Sequence, residues 1–126
     1  MEGELVFIYG TLRRGCWRHD LLERLGAEYL GEAEAEGYTI TVRGGAPMMV
    51  PVRGCRALGE LYRVPRDALR ELDEEEVTTG LYERRRIRVK AGGRAVEAWA
   101  YLGKVSERGC VSIVYTCGRV PIEPIA

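Results

Sequence analysis

The chain opens with an unbroken apolar run, Leu5-Val6-Phe7-Ile8, that ends at Tyr9-Gly10-Thr11-Leu12-Arg13. Four apolar residues running into a glycine turn read as a buried strand that spills into a loop. Backbone N–H groups there lack ladder partners and can be aimed at a carboxylate or an oxyanion. Downstream, Asp20-Leu21-Leu22-Glu23 has the spacing of a capping box, with Asp20 as N-cap, and Gly26 stands where a C′ residue belongs. A short helix is predicted in the low twenties.

From Ala27 to Arg63 the pattern changes to β-like pieces, Glu28–Ala35, Tyr38–Val42, Met48–Val52 and Ala57–Arg63, separated by Gly37, Gly44-Gly45-Ala46-Pro47 and Gly54. This predicts a meander of short strands. Pro65 suits the first turn of a helix, and residues 67–76 are strong helix formers. Tyr82–Lys90 and Arg94–Leu102 flank Ala91-Gly92-Gly93 and read as a hairpin. In the first of these strands Tyr82 and Arg84 share one parity while Ile87 and Val89 take the other. Strict alternation would send one pair to solvent, so a bulge straddled by Arg85-Arg86 is expected. With strands outnumbering helices, the fold class is α+β: a small mixed or antiparallel β-barrel with a few short helices.

A chain of 126 residues fits one domain, residues 1–126, and is long enough to bury a core without obligatory metals or disulfides. The 19 basic and 19 acidic residues cancel, so no global field draws the protein toward nucleic acid or an anionic membrane. No apolar run approaches the ~20 residues that span a bilayer, and no basic n-region precedes the first strand. A cytoplasmic location is expected. Asn and Gln are absent and Lys90 and Lys104 are the only lysines, a pattern that points to a thermophile. Intracellular proteins of hyperthermophiles do carry disulfides. Cys16, Cys55, Cys110 and Cys117 allow three pairings between which the spacing does not choose, and none has the Cys-x-x-Cys separation of a zinc or redox site. Monomer and homodimer both remain open.

Successive helix residues rotate by about 100°, which puts Glu76 about 40° from Leu72, between the directions of Leu72 and Leu69. A carboxylate therefore sits in the apolar stripe. Glu74 points away from it and Glu71 lies near its edge; Glu75, about 60° from Leu72, is the rival to Glu76. A carboxylate at the core-facing C-terminus of a helix loses solvation and feels the negative end of the helix dipole. Both effects raise its pKa, as a general base requires. The alternative is a Glu76 that frays outward or pairs with Arg84 or Arg85.

An ordered set of short motifs accompanies this carboxylate: Tyr9-Gly10-Thr11-Leu12, Gly59-Glu60-Leu61-Tyr62, Leu72-Asp73-Glu74-Glu75-Glu76, Tyr82-Glu83-Arg84 and Ala98-Trp99-Ala100-Tyr101. Together they resemble the γ-glutamyl cyclotransferase-like family over residues 5–102. Val77 departs from the family pattern, which has Gly after the glutamate, so the connection from helix to strand is expected to differ. The resemblance implies an enzyme that releases 5-oxoproline from a γ-glutamyl amino acid or γ-glutamyl-amine through attack by the substrate's own α-amine. It implies Glu76 as the catalytic acid/base and Tyr9, Gly10, Thr11, Leu12, Arg13, Tyr82 and Tyr101 as substrate-binding residues. The Gly10, Thr11 and Leu12 amides would hold the substrate carboxylate or the developing oxyanion, and Tyr9 and Tyr101 would close the pocket with their hydroxyls. Neither a metal nor a cofactor is required, and the partner is the small γ-glutamyl molecule.

Arg84, Arg86 and Arg88 share one strand face, but no aromatic ladder accompanies them and the charge is balanced, so a solvated exterior is expected over a nucleic-acid surface. His19, the single histidine, has no serine or cysteine motif to serve and reads as a neighbour of the helix cap. The rival to an enzyme is a non-catalytic module of the same fold that binds a small carboxylate without turning it over.

Overall fold

The computed structural model describes residues 3–111 and, in backbone alone, residues 115–117 and 120–122. In chain order the elements are β1 (Glu4–Ile8), α1 (His19–Arg24), β2 (Glu28–Arg43), β3 (Ala46–Val64), α2 (Ala68–Glu76), β4 (Tyr82–Ala91), β5 (Arg94–Gly103), β6 (Tyr115–Cys117) and β7 (Val120–Ile122). The first five strands close into a ring in the order β1-β3-β2-β4-β5, and β6 and β7 form a separate two-stranded pair. Neighbours in the ring are antiparallel except where β5 meets β1 and β3 in parallel, at Val6–Trp99 and Met49–Leu102. The α+β class with a small mixed barrel is thus observed.

The apolar run of β1 is explained by two covered faces. Phe7 joins Ala33, Met49, Leu61, Val89 and Ala98 in the core inside the ring. Val6 and Ile8 point outward, into a second core shared with Leu22 of α1, Leu69 and Leu72 of α2, and Tyr62. Burying each such leucine contributes roughly 1.5–3 kcal/mol, enough to hold two short helices that would melt alone. Inside the ring space is tight. A Cβ on Gly59 would stand 2.5 Å from the Ile8 carbonyl oxygen and 2.7 Å from Phe7 Cζ.

The four expected pieces between Glu28 and Arg63 are two long bent strands. Gly37 and Gly54, read as turns, sit at irregularities within continuous strands, where the pairing jumps from Glu36–Arg56 to Tyr38–Pro51. A glycine signals departure from regular backbone, and a bulge satisfies it as well as a turn does. Only Gly44-Gly45 reverses the chain, with φ +59° and +81° between the paired Arg43 and Ala46. Gly92-Gly93 does the same between Ala91 and Arg94, as expected. Both are two-residue loops with positive φ at each position, a conformation glycine adopts without strain.

The capping box at Asp20 does not form. The N-cap is Arg18, no side chain caps the helix, and Asp20 lies in the first turn. The preceding loop is already coiled by hydrogen bonds from Arg18 N to Thr11 O and His19 N to Cys16 O, so the helix starts earlier. Its end is as expected: Gly26 N donates to Glu23 O and Ala27 N to Leu22 O, a Schellman arrangement with Gly26 at φ +79°.

The bulge expected near Arg85 is absent, for the ladder from Tyr82–Gly103 to Ala91–Arg94 is unbroken. Alternation strands neither pair, because the outer face is covered at Tyr82 and Arg84 and turns to solvent only from Arg86 onward. Ile87 and Val89 face the core inside the ring, while Tyr82 packs on the outer core with Trp99. The Arg84 and Arg86 guanidinium groups lie 4.3 and 4.4 Å from the Trp99 ring centre, and they pair with Asp73 and Glu97.

Of the cysteine pairings left open, the structure contains Cys55–Cys110, and Cys16 is disulfide-bonded as well. The Cys117 side chain lies outside the described residues. Among the described residues no helix is long and apolar enough to cross a membrane.

Candidate active site

The turn after β1 is closed by Arg13 N donating to Gly10 O at 3.1 Å, and Arg13 Nε bonds the same carbonyl. Among the described residues no hydrogen bond engages the Thr11 or Leu12 amide. Glu60, buried on β3, accepts from Arg14 N at 3.0 Å and from the Tyr62 hydroxyl at 2.8 Å, anchoring the far side of the loop. Gly10, Thr11 and Leu12 face a cavity of about 570 Å³ that is also lined by Tyr9, Tyr82, Tyr101 and Glu76. Arg13, expected among the binding residues, is buried behind the turn and is not part of that lining.

The cavity's other walls come from elements that the sequence reading did not link to it. The β2–β3 turn contributes Gly44 to Pro47, pinned by the Tyr82 hydroxyl donating to Pro47 O at 2.7 Å. The loop before α1 contributes Trp17, largely exposed, and Arg18. Arg18 Nη1 donates to Thr11 Oγ1 at 3.1 Å and Nη2 to Glu76 Oε2 at 3.2 Å, with Glu75 Oε1 at 3.7 Å. Glu76 therefore does not pair with Arg84 or Arg85. Nothing in the local pattern marks Arg18, because its partner lies 58 residues away.

Glu76 is the more enclosed of the two adjacent carboxylates, its side chain 16% exposed against 55% for Glu75. Burial pushes the Glu76 carboxyl above its ordinary value, Arg18 opposes the shift, and Glu75 adds to it. The tyrosine hydroxyls are committed to the protein. Tyr9 donates to Tyr101 O at 2.6 Å and accepts from Met49 N at 3.0 Å, and Tyr101 donates to Asp73 Oδ1 at 2.9 Å. Burial is the main cause that drives both phenols upward, so they remain protonated. They shape the cavity with their rings, while the Tyr9 hydroxyl fixes backbone groups of β3 and β5 and the Tyr101 hydroxyl holds the Asp73 carboxylate.

Val77 takes an ordinary right-handed helical conformation as C-cap, donating to Asp73 O at 2.7 Å. The chain reverses at Gly80 instead, at φ +80°, after Thr78 and Thr79 have bonded back to the carbonyls of Glu74 and Glu76. The connection thus leaves Glu76 inside the last helical turn. His19 Nδ1 lies 2.8 Å from Leu12 O, which makes it a brace of the loop. Among the described residues no cluster of three His, Cys, Asp or Glu side chains is arranged to hold a metal ion.

Comparison with known proteins agrees with this architecture. The YtfP gamma-glutamylcyclotransferase family protein of Escherichia coli K12 is 31% identical over 97 residues, covering 77% of this chain and 80% of that one. The gamma-glutamylaminecyclotransferases of Bos taurus and Homo sapiens are 36% and 37% identical, and the chain spans 57% and 61% of their lengths. The crystal structure of an AIG2-like protein from Mus musculus shares the fold, with a TM-score of 0.69 at 24% identity over 85% of this chain and 81% of that one. A protein from Pyrococcus horikoshii superposes with a TM-score of 0.65 at 29% identity, over 85% and 83%. The family described as gamma-glutamyl cyclotransferase, AIG2-like, matches residues 6–116, and the chain belongs to that family.

Proposed function

We propose that the protein is a γ-glutamyl cyclotransferase that releases 5-oxoproline from a γ-glutamyl amino acid or γ-glutamyl-amine, with Glu76 as acid/base. The observation that carries this reading is the enclosed, upward-shifted Glu76 carboxyl sharing one cavity with the Gly10–Leu12 turn. The substrate's α-amine attacks its own γ-carbonyl carbon, so a C–N bond forms to close the ring. Glu76 takes the proton that the amine loses. The carbonyl oxygen becomes an oxyanion, for which the Thr11 and Leu12 amides are preorganised donors. As the intermediate collapses, the original amide C–N bond breaks and Glu76 returns the proton to the leaving nitrogen. Because nucleophile and electrophile belong to one molecule, the protein's main task is to fold the substrate into its ring-closing shape.

Incubation with γ-glutamyl amino acids and γ-glutamyl-amines, assayed for 5-oxoproline, tests the reading. Release from either class supports it and names the leaving group. If neither releases any while 5-oxoproline itself binds, the protein is a carboxylate-binding module of the same fold.

A further inference from the structure

Arg18 holds an arrangement that a general base does not need for itself. A cation 3.2 Å from Glu76 stabilises the carboxylate and so lowers its appetite for a proton. Yet the side chain is well placed for a second task. Its guanidinium carries five N–H donors in a rigid fork. Among the described residues its hydrogen bonds are one to Thr11 Oγ1 and one to Glu76 Oε2, leaving donors for a further anion. The charged residues lining the cavity are Arg18, Glu75 and Glu76, two carboxylates against one cation. An anionic substrate entering there meets a single full positive charge.

The chemistry of the ring supplies the rest. In 5-oxoproline the nitrogen is bonded to two carbons, one bearing the carboxylate and the other bearing the carbonyl oxygen. A substrate closing to that ring therefore presents two oxygen anions that flank the nitrogen from which Glu76 must take a proton. The site has two kinds of anion-binding device, neutral amides on the turn and the Arg18 charge, joined at Thr11. The amides suit charge that appears only in the transition state, and the guanidinium suits charge that is permanent.

We propose that Arg18 anchors the α-carboxylate of the γ-glutamyl substrate, and that it does so by exchanging its bond to Glu76 for one to the substrate. The exchange replaces one carboxylate partner with another, so its net cost is small. It leaves Glu76 without its cation at the moment when a proton must be accepted. The other groups facing Glu76 do not change: Glu75 remains beside it, with the protonated phenols of Tyr9 and Tyr101 across the cavity. Arg18 thereby links recognition of the carboxylate to the basicity of the catalytic residue. The inference rests on the reading that this cavity closes γ-glutamyl compounds into 5-oxoproline.

The test is Arg18→Gln, with Arg18→Lys as a variant that keeps the charge and loses the fork. Arg24→Gln, which removes an exposed guanidinium of α1, is the control. For Arg18→Gln, KM rises by about 10–100-fold, the loss expected when a charge-assisted hydrogen bond to a ligand is removed. The acidic limb of kcat/KM, which reports the free enzyme, moves to higher pH because Glu76 has lost its cation. The acidic limb of kcat, which reports the complex, stays in place, since there Arg18 has already left Glu76. Arg18→Lys recovers part of the loss in KM. An unchanged KM, or both limbs moving together, overturns the proposal and makes Arg18 a fixed partner of Glu76.

A second readout is independent of turnover. Trp17 lies beside the Arg18 guanidinium, 6.0 Å from ring centre to Cζ, so displacement of Arg18 alters its fluorescence. Titration with 5-oxoproline changes the emission of the wild type and not of Arg18→Gln, with Trp17→Phe identifying the reporter. If the wild type binds 5-oxoproline through Arg18 but turns over no substrate, the anchoring stands while the cyclotransferase reading falls. If Arg18→Gln binds 5-oxoproline as tightly as the wild type, the anchoring falls whatever the activity.

Discussion

The Tyr101 hydroxyl donates a 2.9 Å hydrogen bond to Asp73 Oδ1, and through it the end of α2 is tied to β5. Asp73 also lies 3.5 Å from Arg84 Nε on β4, so one carboxylate joins the helix to both strands of the hairpin. Three residues further along the same helix, Glu76 is held at the cavity. Tyr101→Phe keeps the ring and removes this bond. Stability is expected to fall by about 1 kcal/mol, the usual net worth of such a bond, read as a lower urea midpoint at constant m. 5-Oxoproline release should fall as well, because the helix end that presents Glu76 is less constrained. Full activity in the destabilised variant would show that the tie serves the fold alone.

Glu76→Gln retains size and hydrogen-bonding capacity and removes the proton acceptor. Folding and ligand binding are expected to survive, and 5-oxoproline release should drop by the ~10²–10⁴-fold that a positioned acid–base group contributes. Glu74→Gln, on the outer side of the helix, should leave the rate near wild type. If Glu75→Gln abolishes turnover while Glu76→Gln does not, the mechanism holds and the base is the neighbouring residue.

The raised Glu76 pKa sets the sign of a pH effect on stability. A carboxyl that binds its proton more tightly when folded than when unfolded contributes stability below its unfolded pKa, about 4.3 for Glu, and loses it as pH rises through the folded value. The stability of wild type relative to Glu76→Gln should therefore decline as pH is raised from about 4 toward neutrality. Urea unfolding of both proteins across that range measures it. A difference that grows with pH would mean that Arg18 outweighs burial at this site.

Gly59 is required by the close approach of Phe7 and the Ile8 carbonyl inside the ring. Gly59→Ala is expected to cost about 1–3 kcal/mol, the range for overpacking a filled core. Thermal unfolding of the variant checks the cost. An unchanged Tm would show that β1 can move away from β3 without penalty.

Local chemistry was legible in the sequence wherever a short-range rule governs it. The apolar run of β1, the helix through residues 68–76, the Gly92-Gly93 hairpin and the left-handed Gly26 after α1 are each determined by a few neighbouring residues. The position of Glu76 on the apolar stripe of its helix follows equally from a rotation of about 100° per residue. Where two outcomes satisfy the same local rule, only the tertiary structure decided. Gly37 and Gly54 became bends within long strands because the ring needs curvature there, and β4 ran without a bulge because its outer face is covered at Tyr82 while Ile87 and Val89 point inside the ring. The Cys55–Cys110 bond and the bridge from Arg18 to Glu76 join residues 55 and 58 positions apart. Such pairings depend on how the strands close into a ring, and neither periodicity nor turn propensity reaches that far along the chain.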